Sequence, residues 1–464
     1  MKSIKYLVYS ILIGLLFTSC LLRKEYNRTV EVDNDHLYRI DTEVDSTQNF
    51  GTIIWADFFK DSVLKQYIEK GLEQNFDVRI ALENVEIAKS RFKQGKQVNL
   101  PTVSGNVSGA YTKNTQNGQF GNAFGDITRY DVGLDISWEA DIWGKLKATS
   151  EVARMNLLQQ SEVKKAITSD LVSQIAFSYY RLIGYDKQRD ILDKTIIARQ
   201  ESLEVTEALF SAGEVTLVAV KQSEALLYNS KVLLVEVEKN IEITENALSF
   251  LMGESGQLLE RDTTFTDRFD FKLDVGIPIQ LLENRPDIKS AEYLLINSFE
   301  QVNIAKANFY PSLKISVGGG LQSTDLENWF SPSSFLFNVL GQATQPIWNQ
   351  RKIKTEYEVS QSQEKKALFN FQRQILMAGQ EVSNSVMIIN RQGDIINNQQ
   401  LECDAYRDAV EYSQDLLLFG SANYLEVITA RQNLLQAELV LVNRQLDLIT
   451  EYIKLYNALG GGWS

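Results

Sequence analysis

RYDVGLDISWE, residues 129–139, changes residue type at almost every step: Tyr130, Val132, Leu134, Ile136 and Trp138 are apolar, while Asp131, Gly133, Asp135 and Ser137 between them are not. Side chains of a strand point alternately to its two faces, so the segment reads as a strand with one apolar and one wetted face. Three further segments extend the pattern. PTVSGNVSGAY, residues 101–111, sets Val103, Val107 and Tyr111 against Thr102, Ser104, Asn106 and Ser108. In NFYPSLKISVGGGLQS, residues 308–323, Leu313, Ile315, Val317 and Leu321 alternate with Ser312, Lys314, Ser316 and Gln322. The fourth, Phe335 to Thr344, has Phe335, Phe337 and Val339 on one face but Leu336 and Leu340 on the other, and so declares no apolar side.

Two arrangements produce such strands: an ordinary sheet over its own core, or barrel strands whose apolar face meets lipid. Segment lengths near the 9–11 or so residues of a transmembrane strand favour the second. Aromatic residues at strand ends and the long polar loops TKNTQNGQFGNAFGDIT and STDLENWFSPSS point the same way. Four strands cannot close a membrane barrel, for which about eight is the observed minimum. An open edge in hydrocarbon would leave backbone groups unpaired, so the chain is expected to assemble with copies of itself. Two copies supply eight strands and three supply twelve, and only twelve leaves a substantial lumen.

Between these strands the pattern is helical, and it occurs twice. Setting residue n beside n+210 pairs Glu73 with Glu283, Asp77 with Asp287, Ala81 with Ala291, Pro101 with Pro311 and Val107 with Val317. Ile142-Trp143 repeats as Ile347-Trp348, and Leu209-Phe210 as Leu418-Phe419. The period is too long for a solenoid, so we read a tandem duplication in which each half is a complete plan. That plan is a helix (about 60 to 95 in the first half), strand, loop, strand, and two long helices parted near Ser211-Ala212-Gly213. The stretch from Gly144 to Ser211 would be a rod of roughly 100 Å at about 1.5 Å per residue. Leu227, Leu234, Ile241 and Leu248 fall at sevens, as do Leu434, Leu441, Leu448 and Leu455, the seam of a coiled coil. Leu435, Val442 and Ile449 widen the second seam, so that one helix could touch two neighbours.

The chain has 464 residues, 44% of them hydrophobic, and a formal net charge of −13, which is unlike a nucleic-acid binder. It opens MKSIKYLVYSILIGLLFTSC, with Lys2 and Lys5 before an apolar run that is too short to span a bilayer. The segment resembles a bacterial lipoprotein signal over residues 1–19, with Cys20 as the lipid anchor; the competing reading is an ordinary signal with an incidental cysteine. Cys403 is the second of two cysteines and His36 the single histidine, leaving no material for disulfides or a zinc site. No catalytic constellation, cofactor site or metal site is expected. Asp131, Asp135, Glu139 and Asp141 cluster, but the alternation puts the first two on a wet face.

LLENRPDIKSAE (281–292) and IAKANFYPSLKIS (304–316) carry a resemblance to TolC-like outer membrane efflux proteins, particularly their NodT-type lipoprotein branch. Arg285, Pro286, Asp287, Ala291, Glu292, Phe309, Pro311 and Leu313 fit its pattern, and FGSANYLEVITARQNLLQAE (419–438) is similar to its second helical hairpin. The resemblance implies a mainly α chain with a membrane β-barrel. Three copies would complete twelve strands in the outer membrane, and long coiled-coil helices would form a helical barrel in the periplasm. The domains expected are a signal at 1–19, a lipid-anchored segment at 20–59, a first repeat at 60–255, a linker at 256–280 and a second repeat at 281–464. The first repeat would carry strands near 102–111 and 129–139, and the second near 312–322 and 335–345. The implied function is a passive exit duct for small molecules. Its implied partners are a periplasmic adaptor and an inner-membrane efflux transporter of the RND type. Two alternatives stay open: a duct for secreted polypeptides, as in type I secretion, and a soluble coiled-coil scaffold. In the family the periplasmic end is narrowed by inward side chains in a D-V-L-D-A pattern. Here the stretch is Glu426-Val427-Ile428-Thr429-Ala430, so Glu426 and Thr429 are the implied constriction residues, with Arg431 nearby in search of a carboxylate.

Overall fold

The computed structural model describes residues 23–28, 37–38, 50–115, 125–262, 280–419 and 424–463. The signal segment, Cys20, His36 and most of the linker lie outside the described residues. The chain divides into two compact units, each as far as described: one from 1–29, 85–160 and 291–371, the other from 30–84, 161–290 and 372–464.

After a short turn at Trp55–Phe58 come α1 (Ser62–Gln74) and α2 (Phe76–Lys96), then β1 (Thr102–Thr112) and β2 (Ile127–Ala140). The long helices α3 (Lys145–Ser211) and α4 (Leu217–Leu251) complete the first half. The second half runs α5 (Pro286–Ala307), β3 (Ser312–Ser323), β4 (Phe335–Thr344), α6 (Lys352–Leu418) and α7 (Tyr424–Ala458). The duplication is visible in the lengths: α3 and α6 each have 67 residues, and α4 and α7 each have 35.

The single helix expected over about 60 to 95 is instead two, broken at Asn75. Its extended backbone ends α1, and its side chain accepts from the backbone N–H groups of Asp77 at 2.8 Å and Val78 at 3.2 Å, capping α2. Asp61 caps α1 in the same way, accepting from Val63 and Leu64.

In the second unit the two halves close with the same joint. The Asn75 amide donates to the carbonyl of Leu251, at the end of α4, at 2.9 Å. Arg285, one repeat later, donates to the carbonyl of Ala458, at the end of α7, at 2.9 Å. Just past each helix end sits a glycine with positive φ, Gly253 at 74° and Gly460 at 91°. A Cβ on Gly253 would stand 2.7 Å from the Gln74 carbonyl oxygen, and one on Gly460 would stand 2.6 Å from that of Asn284. Only glycine fits both the conformation and the approach.

The seam on α4 follows the expected series, with Leu227, Ile241 and Leu248 buried and Leu234 half-buried. On α7 it shifts by one residue over most of its length: Leu435, Val442 and Ile449 are buried and Leu434, Leu441 and Leu448 half-buried, while at the end of the helix the expected Leu455 is fully buried together with Tyr456. The widened stripe therefore turns its middle inward and leaves one flank partly open. On α4, Tyr228, Val232 and Val235 form a second, exposed apolar stripe.

Arg285 also holds Asp287 through Nε at 3.0 Å and Nη2 at 2.7 Å, and Glu381 through Nη1 at 2.6 Å. Arg285 is itself the buried charge, and removing it leaves the Ala458 carbonyl without its donor and the partly exposed Asp287 and Glu381 without their cation. Hydrogen bonds to a charged group contribute about 1.5–3 kcal/mol, against about 0.5–1.5 kcal/mol for neutral ones. Arg285→Ala is therefore expected to lower the unfolding midpoint of the detergent-solubilised protein steeply. Asn75→Ala, which removes a neutral cap and one hydrogen bond, should lower it by clearly less.

Candidate functional site: a sheet with an open apolar face

The four strands form one antiparallel sheet in the order β1-β2-β3-β4, so β1 and β4 are its edges. The β2–β3 ladder joins the two sequence halves, with Val132 opposite Leu321, Ile136 opposite Val317 and Trp138 opposite Ile315. Its neighbours hold the same parity: Val103 faces Ile136 and Val107 faces Val132 on one side. On the other side Val317 faces Val339 and Leu321 faces Phe335. Directly opposed residues share a face, so all four strands present one apolar surface. The register resolves the ambiguity of β4, whose Phe335, Phe337 and Val339 lie on that surface. Leu336 and Leu340 lie on the opposite face, across from Gly320 and Ser316.

This apolar surface covers no core. Val107 is 71% exposed, Phe335 67% and Val103 64%, and every residue of β1 and β4 is exposed. Leu134, Ile136, Phe337 and Val339 are exposed as well. A fully buried side chain of this kind gains about 1.5–3 kcal/mol over an exposed one. Leaving seven in water would forgo a sum comparable with the whole stability of a domain, about 5–15 kcal/mol. The face is built for an apolar medium. Trp138 stands near one end of it, with its indole donating to the Asn99 carbonyl at 2.8 Å, and Tyr111 and Tyr130 stand near the other. Among the described residues, no helix is long and apolar enough to cross a membrane.

The opposite face carries Asn106, Asp131, Asp135, Lys314, Gln322 and Asn338. Asp131 accepts from Gln322 at 2.6 Å and Arg129 at 2.9 Å. Asp131, Asp135 and Glu139 thus belong to a polar lining, and Glu139 is paired with Lys314 at 3.8 Å. Asp141 leaves the cluster to cap α3, accepting from Leu146 and Lys147.

A second feature, illegible in the sequence, tethers the N-terminal segment. The guanidinium of Arg28 grips Glu292 with two bonds of 2.6 Å, and Arg23 grips Glu300 at 2.6 and 3.2 Å. Asn303 exchanges hydrogen bonds with the backbone of Lys24, and Tyr26 meets Phe299 edge-on. All four receiving residues, Glu292, Phe299, Glu300 and Asn303, are on α5, at the i, i+7, i+8 and i+11 spacing that keeps them on one side of the helix. Forked arginine–carboxylate pairs fix orientation as well as distance. The partners are more than 260 positions apart in the chain, which hides them from local patterning.

The third feature surrounds the residues implied for the constriction. Glu426 and Thr429 lie on the exposed side of α7, while Tyr424, Val427 and Ile428 are buried. The Thr429 hydroxyl donates back to its own helix at Leu425, 2.8 Å away. The Tyr424 hydroxyl lies 2.9 Å from Ser202 Oγ on α3 and 2.8 Å from Ser223 Oγ on α4. Among the described residues Arg431 has no carboxylate within ion-pair distance; it donates to the Ala198 carbonyl at 3.2 Å and, with the Gln414 amide turned to suit, to that side chain. Arg199 donates to the Leu226 carbonyl and to Ser230 Oγ. Burial, and then the neighbouring Arg431, depress the Arg199 pKa, and burial depresses that of Arg431. Cys403 is a packed side chain whose thiol pKa burial pushes up.

The model of the outer membrane efflux protein family matches twice, at residues 67–254 and 277–461. The chain belongs to this family. It is 28% identical over 456 residues to the "Cation efflux system protein CusC" of Escherichia coli O6:H1, covering 97% of each chain. It is also 28% identical over 410 residues to the "Solvent efflux pump outer membrane protein SrpC" of Pseudomonas putida, covering 88% of this chain and 87% of that one. A crystal structure of CusC, solved in work on folding and transmembrane channel formation, superposes with a TM-score of 0.84 at 26% identity, over 95% of this chain and all of that one. The fold is therefore that of TolC-like outer membrane channels, and the protein is an outer-membrane efflux component rather than an enzyme.

The two faces of β1 make opposite demands on a charge. Val107→Arg puts a guanidinium against hydrocarbon, at about 2–4 kcal/mol near the bilayer midplane. It should sharply reduce the protein recovered from outer membranes, whereas Asn106→Arg, one residue away, should be recovered like the wild type.

Proposed function

We propose that three copies of this chain close their sheets edge to edge into a twelve-stranded barrel, with the apolar face outward in the outer membrane. The polar face then lines an aqueous exit duct, continued in the periplasm by a ring of coiled-coil helices. The observation that carries this reading is the sheet itself: an apolar face over no core, with both edges open. The exposed stripe of Tyr228, Val232 and Val235 on α4 and the half-buried leucines of α7 supply surfaces for neighbouring copies. The duct does no chemistry; energy comes from an inner-membrane pump of the RND type, reached through a periplasmic adaptor. Relatives of the same percentage identity to this chain are named for cation and for solvent efflux. We take cargo choice to lie with the pump.

Two residue assignments belong to this proposal. Cys20 is the lipid anchor of the mature chain. Glu426 and Thr429 face the axis at the periplasmic constriction, where threefold symmetry makes Glu426 an acidic ring that favours cations.

Purification of the detergent-solubilised protein with its native partners tests the assignment. An adaptor and an efflux pump should accompany it, whereas a dedicated polypeptide-secretion transporter would replace the small-molecule reading. In planar bilayers Glu426→Gln should weaken cation selectivity. Unchanged selectivity would remove Glu426 from the constriction.

A further inference from the structure

The duplication leaves one contact made where the first half meets the second and its counterpart, from the second half back to the first, open. Trp143, three residues past β2, stacks on Tyr310 with ring centroids 4.9 Å apart and planes at 29°. Its indole Nε1–H donates to the carbonyl of Pro311 at 2.8 Å. Tyr310 and Pro311 are the residues just before β3, so the tryptophan ties the end of β2 to the start of the strand beside it. The sequence pieces of this lock recur. Ile142-Trp143 returns as Ile347-Trp348, four residues past β4, and the Tyr310-Pro311 position corresponds to Leu100-Pro101, just before β1.

In this second set the pieces stand exposed. Trp348 is 86% exposed, Ile347 99% and Leu100 61%. Among the described residues β4 has no strand on its outer side, and neither has β1. An indole carries a large apolar surface and a single donor, and an exposed one gains on both counts when covered beside an acceptor. Within one chain β2 finds β3; at the open edge, β4 has only the β1 of another copy to find.

We propose that Trp348 of one copy docks on the Leu100-Pro101 segment of the next, donating its Nε1–H to the Pro101 carbonyl. This rests on the trimeric reading above and identifies the contact that seals each of its seams. The parity of the strands agrees with it. Phe337, Val339 and Ala343 of β4 can lie beside Val103, Val107 and Tyr111 of the neighbouring β1 with all their apolar side chains on one face, as Ile136 lies beside Val317 within the chain. A slip of one residue would turn one set into the lumen. Trp348 thus acts as a register lock where no covalent hairpin holds the strands together. The alternative occupant is lipid, with Trp348 a plain interfacial anchor.

A cross-link separates the two. In a Cys403→Ala background, Leu100→Cys and Trp348→Cys are combined in one chain, and outer membranes are treated with a short bismaleimide. A ladder reaching trimer on a denaturing gel, absent from either single-cysteine variant, is the expected result. In parallel, Trp348→Phe keeps a ring but loses the donor, and should lower the temperature at which the solubilised trimer dissociates. Trimers that form normally yet give no cross-link, or a Trp348→Phe trimer as heat-resistant as the wild type, would overturn the contact and leave the trimer standing. A wild-type protein that is monomeric by native mass spectrometry would contradict the trimeric reading itself.

Discussion

A backbone amide in hydrocarbon must find a partner within the protein, and that constraint organises everything else in this chain. Hydrocarbon offers no hydrogen bonds, so a strand can face lipid only if both of its edges are paired. Among the described residues β2 and β3 are paired on both sides, while β1 and β4 each keep one edge open. The single chain is thus an incomplete object whose apolar face asks for lipid and whose edges ask for other strands. Symmetric association is the one arrangement that answers both without further sequence.

The duplication explains how so plain a sheet was assembled. Each half contributes one hairpin, and the β2–β3 ladder between them shows how a hairpin from one copy of the plan joins a hairpin from another. The joints at Asn75 with Gly253, and at Arg285 with Gly460, show the same reuse among the helices. At one joint a neutral amide suffices; at the other a buried guanidinium also gathers Asp287 and Glu381. The second half thus carries the shared joint as an ion-paired centre.

Much of this was legible in residue order, because a period of two survives any choice of partner. Tyr130 to Trp138 declared its faces at once. Phe335 to Thr344 did not, since Leu336 and Leu340 stand on the polar side and only the pairing of Val339 with Val317 assigns the faces. The heptads were visible, but which flank of the α7 stripe turns inward depends on the packing of neighbouring helices, and it is Leu435 rather than Leu434. The break at Asn75 is hidden in the sequence although asparagine is a good cap, because the apolar pattern continues across it. The Arg23 and Arg28 clasp had no local signal at all. Nor did the meeting of Tyr424 with Ser202 and Ser223, which needs three helices brought together.

The central claim is that the odd-numbered residues of β1 touch acyl chains while the even-numbered ones touch water. Single spin labels placed in turn from residue 103 to 111, in protein reconstituted into bilayers, test it directly by their collisions with oxygen and with a water-soluble nickel chelate. The account calls for a period of two, with Val103, Val107 and Tyr111 open to oxygen and closed to nickel, and Ser104, Asn106 and Ser108 the reverse. Uniform access to nickel, or a strand closed to both reagents, would place the sheet outside the membrane and contradict the duct.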